Sequence, residues 1–255
     1  MKEYSSLDYR KTVKDIQAVA DNNIARKENT SEIGWNTYDS HLISEFPGNM
    51  SFNDTFYPLC PQIYKNIKEY IETEFQDEEY VVLVEMGGPA SNLVADFSEG
   101  FIDESIGYTL TDKVRSDKQK NEEASKGHTV MTGNGLASEF STEIKKKLGG
   151  KKINIFFERL LGGHVGIEED IKFFSITFNS WYRMLADKAV MFVESPIITD
   201  VENIALVEKT FDELDSVPGL EVKYGISKVG YGFTFWIRLQ RDKNAPADLR
   251  PYLKN

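Results

Sequence analysis

Residues 81 to 92 read VVLVEMGGPASN, a run of β-forming residues closed by a carboxylate and two glycines. Val81, Val82, Leu83 and Val84 form a short continuous apolar stretch, the pattern of a parallel strand buried on both faces. Glu85 then falls at the strand's carboxyl end, where open α/β sheets bind their ligands. Gly87 and Gly88 allow a tight turn and bring a ligand close to bare peptide. Pro89 can open the next helix, whose first N–H groups have no internal partner and favour an acceptor or anion. The same residues also make a strand-to-helix turn without any ligand, so the outline of a nucleotide-type site must be weighed against the elements around it.

Other polar residues stand where predicted strands end. Asp112 closes the second strand and, taken alone, is turn or capping chemistry. Asn134 and Gly135 form an Asn-Gly turn pair after the third strand. Behind the fourth strand runs Phe156-Phe157-Glu158-Arg159-Leu160-Leu161-Gly162-Gly163-His164, which places a carboxylate, a guanidinium and an imidazole at one edge. His41, His128 and His164 show no ligand spacing and no cysteine pair exists, so a metal enzyme fits least.

The 255 residues suffice for one large α/β domain with an appendage, or at most two small domains. With 28% charged and 40% apolar residues the chain reads as a packed, soluble protein. A formal charge of -11 argues against a broad nucleic-acid-binding face. Lys145, Lys146, Lys147, Lys151 and Lys152 cluster around Gly149 and Gly150, which suits a helix end complementing its dipole. Cys60 is the single cysteine, which excludes an intrachain disulfide and fits a reducing cytoplasm. No stretch approaches the ~18 apolar residues of a membrane span, and the polar start lacks a signal-peptide core. A cytoplasmic location is the expectation.

Helical spacing at Tyr9, Val13, Ile16 and Ala20, and again at Ile63, Ile67 and Ile71, predicts two helices before the first strand. Between them lies a long polar and aromatic segment, from Glu28 to Asp54, with Trp35, Tyr38 and Phe46 as docking groups. From Tyr80 onward strands and helices alternate: a helix at Ser91 to Phe97, a strand at Ser105 to Leu110, a charged stretch from Lys113 to Lys126, a strand at His128 to Thr132, a helix at Ala137 to Leu148, and a strand at Ile153 to Phe157. Ile167, Ile171, Phe174, Phe178, Trp181 and Leu185 step by four and three, which predicts a long helix whose aromatics are core. A strand at Ala189 to Val193 and a helix carrying Ile204, Val207, Phe211 and Leu214 follow. Glu221 to Ser227 and Tyr231 to Leu239 are separated only by Lys228, Val229 and Gly230, too short for a crossover, so they must pair antiparallel. The predicted fold is α/β: a doubly wound, mostly parallel seven-stranded sheet with a C-terminal antiparallel hairpin and an N-terminal helical extension. Residues 1–77 form the helical cap and residues 78–255 the sheet domain.

A strand ending in acid-x-Gly, later strands ending in an acid and in Gly-Asn, and a terminal β-hairpin resemble the class I S-adenosylmethionine-dependent methyltransferases. The resemblance covers roughly Glu78 to Gln240. The glycine-rich loop is degenerate: Glu85-Met86-Gly87-Gly88-Pro89-Ala90-Ser91 keeps the acid and the first Gly of acid-x-Gly-x-Gly-x-Gly and has Pro and Ser at the other two positions. The resemblance implies S-adenosylmethionine as cofactor. Glu85 would anchor its amino end directly or indirectly, and Gly87, Gly88 and Ser91 would line its ribose and methionine portion. Asp112 would take both ribose hydroxyls, as a carboxylate with two acceptor oxygens can. Gly133 and Asn134 would meet the adenine.

By the same resemblance Glu158, Arg159 and His164 face cofactor and acceptor, with His164 the candidate base because its reference pKa lies near neutrality. The Asn/Asp-Pro-Pro-Tyr sequence of many amino methyltransferases is absent. The methyl acceptor is open, a small molecule among the options. Its pocket would draw on Trp35, Tyr38, His164, Glu194 and Ser195, with the N-terminal segment as a lid. Two other functions compete. A nicotinamide-dependent oxidoreductase also binds ribose by acids at strand ends, but its fingerprint needs Gly where Pro89 or Ala90 stands. A non-catalytic relative would keep the fold as a binding or regulatory module.

Overall fold

Alternation along the first strand sets the architecture: Val82, Val84 and Met86 enter one hydrophobic core, whereas Val81 and Leu83 enter another on the opposite face. Such a strand needs helices on both sides. The computed structural model describes residues 41–43, 51–109, 116–133, 135, 139–158, 171–194, 201–229 and 232–253. Within these, the strands are β1 (Val82–Met86), β2 (Glu104–Thr109), β3 (His128–Thr132), β4 (Ile153–Glu158), β5 (Leu185–Glu194), β6 (Leu220–Val229) and β7 (Gly232–Arg241). The helices are α1 (Phe52–Phe56), α2 (Ile67–Phe75), α3 (Ser91–Ala95), α4 (Asp117–Ser125), α5 (Phe140–Lys147), α6 (Ile171–Tyr182) and α7 (Val201–Asp215). A 3-10 turn, Tyr57–Leu59, follows α1.

The sheet has seven strands in the order β3-β2-β1-β4-β5-β7-β6. β1 through β5 are mutually parallel, and β7 enters antiparallel to both β5 and β6. One face is covered by residues of α5, α6 and α7, including Phe140, Ile144, Phe178, Trp181 and Phe211. On the other face α1, α2 and α3 contribute Phe52, Phe56, Ile67, Tyr70, Ile71 and Leu93. Phe52 meets the Phe157 ring at 4.5 Å between centroids, and Phe56 meets Phe192 at 5.3 Å. The residues before β1 thus help to build the second core of the sheet.

Several boundaries differ from the sequence expectation, each for a tertiary reason. The long helix ends at Tyr182, and Leu185 opens β5 in register with Ile153. There the Ile153 N–H already donates to the Met184 carbonyl at 3.1 Å, so sheet pairing overrides the helical spacing. β5 accordingly starts four residues before Ala189. Ile63 is 84% exposed and lies outside α2, which begins after an Asn66 cap whose side chain accepts the Glu69 N–H at 2.8 Å. The charged stretch before β3 contains α4, a helix with no buried side chain among its described residues, and therefore with no apolar period to reveal it.

The end of the long polar segment is also helical, because Ser51 and Asp54 form a reciprocal capping box for α1. Pro89 does not open α3, since Ala90 intervenes as its cap. Lys228 and Val229 are strand residues paired with Phe233 and Gly232. The helix expected over Tyr9 to Ala20 lies outside the described residues.

Candidate functional site

At the carboxyl end of β1 the chain turns across β2 in a way that each small residue makes possible. The Gly87 N–H donates to the Tyr108 carbonyl at 2.8 Å with φ 103, a conformation open to glycine. Gly88 leaves room for the Glu85 carboxylate: a Cβ at that position would lie 2.4 Å from Glu85 Oε1. Glu85, only 2% exposed, curls back beneath the turn, where its Oε2 accepts the Ala90 N–H at 2.6 Å. That bond holds Ala90 at φ 58, a left-handed conformation that costs an L-residue roughly 1 to 2 kcal/mol. Gly107 of β2 is the counterpart on the next strand, since a Cβ there would meet the Pro89 carbonyl oxygen at 2.2 Å.

Ser91, the first residue of α3, is turned toward β3. Its hydroxyl donates to Glu123 of α4 at 3.1 Å and lies 3.4 Å from His128 Nε2. Gly133, just past β3, packs on Tyr108, whose hydroxyl oxygen would be 2.2 Å from a Cβ at Gly133. The Tyr108 hydroxyl donates to Glu143 at 2.6 Å. Burial first, and then the Glu143 carboxylate, hold that phenol above its ordinary value.

Glu158 is 1% exposed at the end of β4, with its Oε2 accepting the Glu194 N–H at 3.1 Å. It pairs with Met86 rather than Glu85, so the two carboxylates leave opposite faces of the sheet. Glu194, buried at the end of β5, lies on the Phe192 and hence the Glu85 side.

The structure therefore gathers Glu85, Gly87, Gly88, Gly133, Glu158 and Glu194 at the carboxyl ends of β1, β3, β4 and β5. Asp112, Asn134, Arg159, His164, Trp35, Tyr38 and Ser195 lie outside the described residues. Of the long N-terminal segment, His41 to Ile43 and Ser51 to Asp54 are described. The Leu42 N–H donates to Asp96 at 2.7 Å, and the Leu42 side chain is buried in the second core. This contact is at the far end of α3 from Ser91, as a structural strap would be. Gly107, Tyr108 and His128 were not candidates in the sequence. A glycine inside a β-run is the signal that marks Gly107, because it announces close backbone approach. Among the described residues no cluster of His, Cys, Asp or Glu could hold a metal ion, and no helix is long and apolar enough to cross a membrane.

A seven-stranded sheet with five parallel strands, a reversed β7 and helices on both faces is a doubly wound, mostly parallel α/β fold. No protein-family model matches the chain and no curated protein matches it. Solved structures do. Magnesium protoporphyrin IX methyltransferase from Synechocystis PCC 6803, with bound SAM, is 11% identical with a TM-score of 0.36, over 68% of this chain and 76% of that one. An rRNA methylase from Streptococcus thermophilus is 10% identical with a TM-score of 0.39, over 69% of this chain and 96% of that one. Spermidine synthase from Thermotoga maritima is 13% identical with a TM-score of 0.38 over 72% of this chain, which spans 61% of that protein's length.

Proposed function

We propose that the protein is an S-adenosylmethionine-dependent methyltransferase whose cofactor lies at the turn from Glu85 to Ser91. The observation that carries this is the turn itself: on a methyltransferase-type sheet, a buried acid at the end of β1 holds the following residues in a tight bend. Gly87, Pro89 and Ser91 are its partly exposed members, so the turn presents small residues and backbone to the sheet edge, as the cofactor would require. Glu85 acts here on the backbone, which makes its contribution to the cofactor an indirect one. Asp112 is proposed for the ribose hydroxyls, Gly133 and Asn134 for the adenine, and Glu158, Arg159 and His164 for the acceptor side. Residues 1–77 are proposed as the cap.

A methyl sulfonium carries its own leaving group. What the chain must then supply is alignment of the acceptor, with a base only where the acceptor loses a proton. Calorimetry with S-adenosylmethionine, S-adenosylhomocysteine and NAD in parallel tests this. Saturable binding of the two sulfur ligands is expected, with NAD much weaker. NAD binding with no response to either sulfur ligand would reject the proposal. The finer role of Asp112 has its own test: Asp112→Ala should weaken binding roughly 10- to 150-fold, from the ~1.5 to 3 kcal/mol of a charged hydrogen bond. An unchanged dissociation constant in the folded variant would remove Asp112 from the site.

A further inference from the structure

The turn is held on one side by Glu85. On its other side, at Ser91, a chain of polar groups joins four elements, and beyond Ser91 itself the proposed chemistry does not use it. Ser105 of β2 and His128 of β3 are register partners, both buried, with Ser105 Oγ 2.7 Å from His128 Nδ1. His128 Nε2 faces the Ser91 hydroxyl of α3, and that hydroxyl in turn reaches Glu123 of α4. Proton counting orients this chain. A carboxylate only accepts, so the single Ser91 hydroxyl proton goes to Glu123. The contact between Ser91 Oγ and the ring then needs a proton on Nε2. In the neutral ring Nδ1 is then bare and accepts the proton of the Ser105 hydroxyl.

We propose that His128 is a positioning residue for the glycine turn: as the Nε2–H tautomer it fixes Ser91, and so the start of α3, against β2 and β3. The turn is then clamped twice, by Glu85 at the Ala90 N–H and by His128 and Glu123 at the Ser91 hydroxyl. Ala90, in its left-handed conformation, lies between the two clamps. Removing His128 leaves Ser91 held by Glu123 alone, on a helix with no buried side chain among its described residues, and so loosens the second clamp beside the strained Ala90. The turn should then open locally while the sheet beneath it stays intact.

Three measurements on the full chain test this. Nitrogen-15 spectra of the histidine rings should show His128 protonated at Nε2 and bare at Nδ1; a proton on Nδ1 alone would overturn the proposal. Hydrogen exchange of the Ala90 to Leu93 amides should speed up roughly 2- to 10-fold in His128→Ala, the loss of one modest hydrogen bond, with β5 and β7 amides unchanged. His128→Gln, whose amide nitrogen can still donate to Ser91, should restore the slow exchange. Equal acceleration throughout the chain in both variants, or none at Ala90 to Leu93, would overturn it. The third measurement rests on the cofactor proposal: S-adenosylhomocysteine affinity should fall in His128→Ala by a similar factor and recover in His128→Gln. If the wild-type chain binds no S-adenosylhomocysteine, the cofactor proposal fails and the first two measurements still decide the role of His128.

Discussion

Gly88 and Gly107 show how much a single methyl group decides at the mouth of the sheet. At Gly88 the obstacle is a carboxylate that can shift if it releases the Ala90 N–H; at Gly107 it is the Pro89 backbone, which has nowhere to go. Gly88→Ala and Gly107→Ala should each lose about 1 to 3 kcal/mol, with Gly107→Ala at the upper end. Urea unfolding of the two variants checks the order, and a more harmful Gly88→Ala would show that Glu85 is held more rigidly than the Pro89 carbonyl. Cys60 offers a second test at this scale. Burial pushes its thiol from 9.0 to about 12, against the opposing pull of the Arg238 guanidinium. The native protein at pH 8 should therefore resist a thiol-specific reagent that reacts readily once the chain is unfolded. The unfolded thiol releases its proton from 9.0 upward while the folded one keeps it to about 12. The folded state then binds more protons, so stability should fall as pH rises through that window.

Among the elements, α2 is joined to the closing hairpin by one buried arginine. Arg238 of β7 donates from Nε to the Leu59 carbonyl at 2.7 Å, and from Nη1 to Tyr70 Oη at 3.0 Å and Gln240 Oε1 at 2.9 Å. Its Nη2 meets Glu221, and Gln240 continues to Glu74 of α2 at 3.1 Å. A guanidinium can serve so many acceptors because its donors form a fixed fork. Arg238→Ala should destabilise the protein by about 2 to 3 kcal/mol, since it takes a charged donor from the Leu59 carbonyl and from the Tyr70 hydroxyl, which keeps Gln240 as its own acceptor. Denaturant unfolding measures the loss, and a loss below ~1 kcal/mol would mean that water replaces the arginine there.

For the whole molecule, ligand binding and stability are one quantity. A ligand that binds only the folded state adds about 2.7 kcal/mol at a hundredfold excess over its dissociation constant. For a chain of 255 residues that corresponds to a rise of roughly 5 to 10 °C in Tm. S-adenosylhomocysteine at that excess should produce it in a thermal melt, and NAD at the same concentration should not. A flat response to the sulfur ligand would contradict binding at the turn.

The sequence by itself determined the order of most elements, because each of these carries its period locally; α1 and α4, which show no such period, are the exceptions. The His128 to Thr132 strand has the bounds its residues predict, and the parallel sheet with a reversed hairpin follows from connector lengths. It also marked Glu85, Gly87 and Gly88 as a turn at the ligand edge. Only the tertiary structure decided what those residues touch. That Glu85 holds Ala90, that Gly107 exists to admit Pro89, and that Ser91 faces His128 depend on the register of β1, β2 and β3, which is set by pairing across the sheet. Leu185 shows the same limit from the other side: its helical spacing is real, yet the backbone pairing of β5 with β4 outweighs it. Hydrophobic period is a property of neighbours in the chain, whereas a site is made by neighbours in space.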